Sequence, residues 1–151
     1  MLRVFTEEAL SEFFYYQESS AWKYVLKQQN GEDMKYDHDF WSAIDTLVSS
    51  GKIVIDRPKG STHPRFPHIW YDVDYGYIEN TTSMDGDGID VWKGSLSSVN
   101  VNAIICTVDL LKRDSEIKLL IGCTEDEMKT VCDFHNDSEL MKGILIRREV
   151  E

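Results

Sequence analysis

Apolar residues in the first third of the chain recur every three to four positions, the spacing of one face of a helix. The first stripe of such residues follows Thr6, a residue suited to an N-cap, and ends at Asn30-Gly31. A second stripe begins near Asp37 or Asp39 and ends before Gly51. The pattern therefore predicts two helices at the start of the chain.

From residue 52 onward the pattern changes to short runs rich in β-branched and aromatic residues, which are typical of strands. We predict strands over residues 52–56, 71–78, 90–92, 99–109, 116–122 and 143–148, a turn at 112–115, and a helix over 124–135 that begins with a capping-box sequence. The predicted organisation is a helical N-terminal segment, residues 1–51, that packs on a β domain with one further helix, residues 52–151.

The charge balance narrows the range of partners. The 151 residues include 16 Lys and Arg against 27 Asp and Glu, a net charge of −11. Nucleic-acid-binding faces need clustered Lys and Arg, so we expect no nucleic acid partner. No run reaches the roughly 18 apolar residues of a membrane span, and the N-terminus lacks a signal-peptide pattern. With three cysteines and no CxxC, we expect a cytoplasmic protein without a membrane partner; whether it forms a homo-oligomer stays open.

Three carboxylates lie within six residues, at Asp85, Asp87 and Asp90, and glycines separate them. Such closely spaced charges repel each other unless a cation lies among them, and the glycines allow the backbone to turn the acids toward one point. Mg²⁺ is usually bound by one or two carboxylates together with water and phosphate oxygens. The cluster therefore indicates a metal site, although a solvated acidic turn is an alternative. A calcium loop of the EF-hand type is excluded because Ile89 and Leu96 occupy two of its ligand positions.

The segment before this cluster is locally basic in an otherwise acidic chain. Between residues 52 and 66 a single acid, Asp56, is outnumbered by Lys52, Arg57, Lys59 and Arg65. Cationic side chains beside bridging metal ions stabilise charge in phosphoryl transfer. The two segments together favour a phosphate-handling site.

The residues Tyr71, Tyr75-Gly76-Tyr77-Ile78 and Asp85-Gly86-Asp87-Gly88-Ile89-Asp90-Val91 resemble the signature of the soluble family I inorganic pyrophosphatases. That family carries YxxxYGxI followed, at the same distance, by DGDPxDV. The resemblance implies an α+β fold with a small five-stranded, mainly antiparallel β barrel of the OB-like type and flanking helices. It also implies that Mg²⁺, or another divalent ion such as Mn²⁺, activates a water that hydrolyses inorganic pyrophosphate to two phosphates.

The resemblance further implies a role for individual residues. The positions carried over are Asp56, Asp85, Asp90, Asp109 and Asp114 for metal binding, Asp87 and Tyr75 for catalysis, and Arg65, Lys118 and Tyr71 for substrate binding. Asp87 would take the proton of the attacking water. Asp114 has the family's spacing from Asp109, whereas Glu116 has its spacing from Lys118, so the choice between these two acids is open.

Several departures from the family pattern leave other functions open. Gly88 replaces a proline, Pro67 replaces a glutamate, and too few residues separate Pro67 from Tyr71 for the hairpin that carries a phosphate-clamping arginine. One alternative is a non-catalytic module that binds metal or phosphate. Another is a hydrolase of a different phosphoanhydride, such as a nucleotide.

Overall fold

The computed structural model describes residues 20–149, with side chains described from residue 35 onward. The chain divides into two compact units between Phe40 and Trp41, and the sheet lies in the second unit. The division of the chain at residue 51 stays a prediction, and the predicted helix start at Thr6 lies outside the described residues. None of the helices between residues 20 and 149 has the length and hydropathy of a membrane span.

A single long helix, α1, spans Ser20–Ser49. It is continuous through Asn30-Gly31, where the sequence predicted a break, so the predicted second helix is the end of α1. A glycine inside a helix costs about 1 kcal/mol relative to alanine. This cost is small enough for flanking helix-forming residues to outweigh it.

Six strands and a second helix follow α1 in the order β1 (Ile53–Arg57), β2 (Asp74–Ile78), β3 (Ile89–Lys93), β4 (Val101–Asp109), β5 (Asp114–Ile121), α2 (Glu125–Asn136) and β6 (Met141–Arg147). Each predicted strand overlaps an observed one, and α2 begins at the predicted capping box of Thr124 and Glu127. The turn predicted at 112–115 lies earlier, because Asp114 and Ser115 already pair with β4.

The strands form one sheet in the order β1-β2-β3-β5-β4-β6. The pairing of β3 with β5 is parallel and the other four pairings are antiparallel, which confirms the α+β class and the mainly antiparallel sheet. The prediction of a five-stranded barrel needs correction, because the described residues form an open sheet of six strands. On β6, the backbone N–H and C=O of Gly143 bond the side chain of Asn136 at 3.2 and 2.9 Å, so at this residue the outer edge of β6 pairs with a side chain and not with another strand.

Apolar side chains cover both faces of this sheet. We call one the α2 face, where Met128 and Val131 of the helix pack with Trp92 and Leu120. The other is the α1 face, where Trp41 packs among strand residues that include Leu119. Adjacent residues of a strand point to opposite faces. The positions of Leu119 and Leu120 therefore show on which face of the sheet each remaining residue of β5 lies.

Candidate functional site

The strand alternation places a group of polar side chains on the α2 face. Lys118 and Glu116 precede Leu120 by two and four residues on β5, and Asp90 precedes Trp92 by two residues on β3. Because β3 and β5 are neighbours, these charged side chains lie next to each other. They continue the apolar α2 face toward the end of the sheet that carries the aspartate loop.

Lys118 is the centre of this group. Its ammonium donates to Asp90 Oδ2 in a short contact, to Glu116 Oε2 at 2.7 Å and to the hydroxyl of Tyr75 at 3.4 Å. The side chains of Lys118 and Glu116 are each 7% exposed. Burial by itself would lower the pKa of Lys118, but the two carboxylates outweigh it and raise the pKa. The lysine is therefore a permanently charged bridge between two acids.

Tyr75 stands over this bridge as a neutral phenol. Burial, followed by the negative charge of Asp90, holds the pKa of Tyr75 well above its usual range. Its ring packs edge-on against Trp92, with centroids 4.7 Å apart. The phenol is thus held in place and available as a hydrogen-bonding group at neutral pH.

The structure brings Glu116, and not Asp114, beside Asp90. Asp114 lies at the first position of β5 opposite Asp109, four residues from Lys118, whereas Glu116 contacts Lys118 directly. The second carboxylate oxygen of Glu116, Oε1, is buried and has no hydrogen-bond partner among the described residues. A buried oxygen without a hydrogen-bond donor costs free energy. A bound cation or donor would remove that cost, so Glu116 Oε1 is suited to accept a ligand.

The aspartate loop folds on its own hydrogen bonds. Asp85 Oδ1 accepts from the Ser83 hydroxyl at 3.0 Å and from the Asp87 backbone N–H at 3.1 Å. Burial opposes ionisation of Asp85, but the bond from Asp87 and then that from Ser83 lower its pKa overall. Gly86 adopts φ +87°, which a residue with a Cβ rarely does. Asp87 itself is exposed.

Gly88, where the family pattern has proline, is required by the packing of β2 and β3. A Cβ at this position would lie 2.7 Å from the carbonyl oxygen of Ile78 and 2.9 Å from the ring of Tyr77. A proline ring would be larger than that single carbon. In this chain the glycine is therefore a packing requirement of the strand pair, and a proline could enter only if the strands shifted.

The turn between β4 and β5 lies beside the aspartate loop. Asp109 Oδ1 accepts from the backbone N–H groups of Leu111 and Lys112 at 2.8 and 2.9 Å, so this predicted metal ligand is engaged in shaping the turn. The ammonium of Lys112 reaches Asp85 Oδ2 at 3.8 Å. Among the side chains of residues 35–149, no three Asp, Glu, His or Cys groups are gathered closely enough to hold a metal ion. No three of the five predicted metal ligands therefore meet, whereas Asp90 and Glu116 both contact Lys118.

The remaining predicted residues lie on β1 and in the loop between β1 and β2. Asp56 is exposed on β1, and Arg65 is exposed in the loop, where its backbone N–H donates to His63 Nδ1 at 3.0 Å. Tyr71 is buried, with its ring centroid 5.4 Å from that of Tyr75. Among Asp56, Arg65 and Tyr71, it is thus Tyr71 that packs against Tyr75, the residue whose hydroxyl contacts Lys118.

Arg57 was not assigned a role from the sequence, although it belongs to the basic segment between residues 52 and 66. Its guanidinium lies 5.3 and 5.7 Å from the ring centroids of Tyr75 and Tyr71. A bulge at Asp56 shifts the register so that Arg57, and not Asp56, stands opposite Tyr75. A bulge of one residue leaves no clear mark in the hydrophobic pattern, so the sequence could not show which of these neighbours faces the site.

No protein-family model matches the sequence, and no curated protein matches it significantly. Among solved structures, the chain is similar to the inorganic pyrophosphatase of Helicobacter pylori, with 14% identity and a TM-score of 0.48 over 64% of this chain and 83% of that chain. The inorganic pyrophosphatase of Neisseria gonorrhoeae has 18% identity and a TM-score of 0.47, over 60% of this chain and 77% of that chain. An inorganic phosphatase of Anaplasma phagocytophilum has 14% identity and a TM-score of 0.43, over 63% of this chain and 81% of that chain. The similarity is a distant one, at the level of the fold.

Proposed function

We propose that this chain is a phosphoanhydride hydrolase that uses a divalent cation, with inorganic pyrophosphate as its substrate. The observation that carries the proposal is the buried Lys118, whose ammonium holds Asp90 and Glu116 side by side beneath the Tyr75 hydroxyl. Two carboxylates and a cation at one buried point, next to the aspartate loop, provide for both a metal ion and a phosphoryl group. The YxxxYGxI and aspartate-loop residues supply the same inference from the sequence.

Asp90 and Glu116 fit Mg²⁺ by their chemistry. This ion commonly takes one or two carboxylates and completes its coordination with water and substrate phosphate oxygens. Glu116 Oε1 is buried without a donor among the described residues, so it has an unused acceptor for a cation. When bound, the metal would supply neutralisation of phosphate charge and a water of lowered pKa.

The chain's own residues would bind the substrate and accept the proton. Asp87 is an exposed carboxylate, and its backbone N–H bond to Asp85 anchors the loop that presents it, so it would take the proton of the attacking water. Lys118 would donate to a phosphoryl oxygen in place of its 3.4 Å bond to Tyr75, the longest of its three. Tyr75, whose raised pKa keeps it neutral at pH 7, would then donate a hydrogen bond from its hydroxyl to the same phosphoryl group.

The first test is phosphate release from pyrophosphate with and without Mg²⁺. We expect release that requires the metal. Asp87→Asn should lower the rate about 10²- to 10⁴-fold, the usual contribution of general-base catalysis, with an unchanged circular dichroism spectrum because the side chain is exposed. A rate in Asp87→Asn equal to that of the wild type would refute the assignment.

A second test distinguishes the two acids of β5. Glu116→Gln should lower the rate and weaken the dependence on Mg²⁺, because it removes a charge that lies against Lys118 and Asp90. Asp114→Asn makes the same chemical change two residues away on the same strand and should keep the rate within a few-fold. Equal losses in both variants would contradict a central role for Glu116 in the site.

A second candidate is a non-catalytic module that binds metal or phosphate. It is favoured by the three bonds that occupy all three donors of Lys118. Binding of pyrophosphate without hydrolysis would support it. A higher rate with nucleoside triphosphates than with pyrophosphate would instead indicate a different phosphoanhydride as the substrate.

A further inference from the structure

Two cations lie beside the ring of Tyr75. Lys118 Nζ is 5.9 Å and Arg57 Cζ is 5.3 Å from its centroid. Two carboxylates compensate the charge of Lys118, whereas Arg57 forms no ion pair within the part of the chain that the structure describes. Of these two cations, Arg57 is therefore the one whose charge no carboxylate contact compensates.

Arg57 is held in place by neutral groups. Its Nη1 donates to the Tyr71 hydroxyl at 3.3 Å. Tyr71 in turn is fixed by its backbone, which accepts from the Gly60 N–H at 2.7 Å and donates to the Ser61 carbonyl at 3.0 Å. The guanidinium is thus oriented before any ligand arrives, which reduces the entropy lost on binding.

Part of the guanidinium is buried without using its hydrogen-bonding capacity. Arg57 Nε has no partner among the side chains described from residue 35 onward, and neither has the buried hydroxyl of Ser61 in the turn that follows β1. Ser61 belongs to the segment that holds Tyr71, since its carbonyl accepts the Tyr71 N–H. Buried donors of this kind are costly in a folded chain, and an arginine fork is suited to two oxygens of one phosphoryl group.

We propose that Arg57 binds the phosphoryl group that Lys118 does not contact, so that the site selects ligands with two linked phosphoryl groups. The inference rests on the proposed function, because it takes Lys118 as the contact of the first phosphoryl group. Tyr71 is the positioning residue for Arg57. On this proposal, a diphosphate has a second phosphoryl group to offer Arg57, so it should gain more from Arg57 than a single orthophosphate at Lys118 does.

The test is calorimetric binding of methylenediphosphonate, a diphosphate that resists hydrolysis, and of orthophosphate, both with Mg²⁺ present. Arg57→Met should weaken binding of methylenediphosphonate about 10- to 100-fold, the range for hydrogen bonds to charged groups. It should change binding of orthophosphate less than about threefold. Lys59→Met removes the same charge from an exposed residue just after the end of β1, and it should leave both affinities nearly unchanged.

A conservative variant covers the case in which Arg57→Met fails to fold. Arg57→Lys keeps the charge and the alkyl stem but removes the fork, so it should show a smaller loss in the same direction. Thermal melting identifies which variants are folded. Wild-type affinity for methylenediphosphonate in a folded Arg57→Lys or Arg57→Met variant would overturn the inference, as would equal losses in Arg57→Met and Lys59→Met.

The outcomes separate this inference from the proposed function. If the wild type binds methylenediphosphonate through Arg57 but releases no phosphate from pyrophosphate, Arg57 is a diphosphate contact and the hydrolase proposal fails. If the wild type hydrolyses pyrophosphate and Arg57→Met retains its KM, the hydrolase proposal stands and the Arg57 inference fails. A wild type that binds no methylenediphosphonate overturns the inference.

Discussion

His135 is a histidine that the fold keeps neutral. It is 3% exposed at the end of α2, and its Nε2 accepts a hydrogen bond from the Trp92 indole at 3.1 Å. Burial, and after it the charge of Lys118, lowers the pKa of His135 to about 3. Because the Trp92 N–H can only donate, Nε2 must carry the lone pair. Protonation of that nitrogen would leave two donors facing each other.

This buried histidine predicts a dependence of stability on pH. An unfolded histidine takes up a proton near pH 6.5, but the folded one does so only near pH 3. Between these values the unfolded state binds more protons, so this group lowers the free energy of unfolding as the pH falls, by at most about 1.4 kcal/mol per pH unit. Urea unfolding between pH 7 and pH 5 measures the slope.

The matched variants are His135→Gln and His68→Gln. Glutamine at position 135 can still accept from the Trp92 indole but does not titrate, so the loss of stability between pH 7 and pH 5 should become shallower than in the wild type. His68 is exposed, and its substitution should leave the slope unchanged. Identical slopes in all three proteins would show that another group causes the dependence.

Among the site residues, the bulge at Asp56 shows what one residue of register decides. With Asp56 extra in β1, Arg57 faces Tyr75. Without the bulge an acid would stand at that place in the ladder, and the site would lose its uncompensated cation. The chemical character of the site at this edge therefore depends on a local backbone feature that composition and spacing do not reveal.

At the level of the element, the approach of β1 to β2 depends on a glycine. A Cβ at Gly76 would lie 1.9 Å from the carbonyl oxygen of Val54 and 2.9 Å from Ile55 Cα. Both obstacles are backbone atoms, which cannot rotate away as a side chain can. The strand that carries Tyr75 and β1, which carries Arg57, are thus held together at a separation that only glycine permits.

Gly76→Ala should therefore destabilise the protein by more than about 3 kcal/mol, the upper end for ordinary overpacking, because the strands must separate. Gly60→Ala is the control, since a Cβ there would meet nothing within 4 Å and only its φ of +84° is unfavourable. We expect a loss of about 1 kcal/mol for that variant. Chemical denaturation measures the free energy of unfolding of both variants. An equal loss of stability in the two would show that β1 and β2 can move apart freely.

At the level of the whole second unit, the core is built on both faces of the sheet. The α1 face is completed by Trp41, which is 3% exposed, and by Val48 from the same helix. Arg148, just after β6, lies over the Trp41 ring at 5.7 Å and bonds Asp45 Oδ2 at 2.8 Å. The end of α1 is thus joined to the sheet by an apolar contact and by a charged one.

Trp41→Ala should cost about 3–5 kcal/mol, the usual loss for a buried tryptophan, because it opens a cavity on the α1 face. Tyr36→Ala, at an aromatic position of the same helix that is 65% exposed, should change the free energy of unfolding by less than about 0.5 kcal/mol. Urea unfolding measures both. A small effect of Trp41→Ala would show that the end of α1 contributes little to the core.

From residue 52 onward, the hydrophobic pattern was sufficient to predict the kinds of secondary-structure element. Strand alternation and the capping box predicted the six strands and α2, because these signals are local and depend on neighbouring residues. The resemblance indicated Tyr75 and Asp90, and the β-prone runs at 71–78 and 90–92 predicted the strands β2 and β3 that carry them. The prediction of a helix break at Asn30-Gly31 was wrong, because the surrounding helix outweighed the low helix propensity of these two residues.

The class of the fold, the order of its strands and the residue types of the candidate site could be predicted from the amino-acid sequence, because each of these follows from local periodicity and chemistry. Three features become visible only in the folded chain: the sheet is open, Glu116 rather than Asp114 lies against Lys118, and Arg57 faces Tyr75. These outcomes depend on contacts between residues far apart in the chain. A bulge or a side chain at a strand edge selects among pairings that the sequence pattern leaves equivalent.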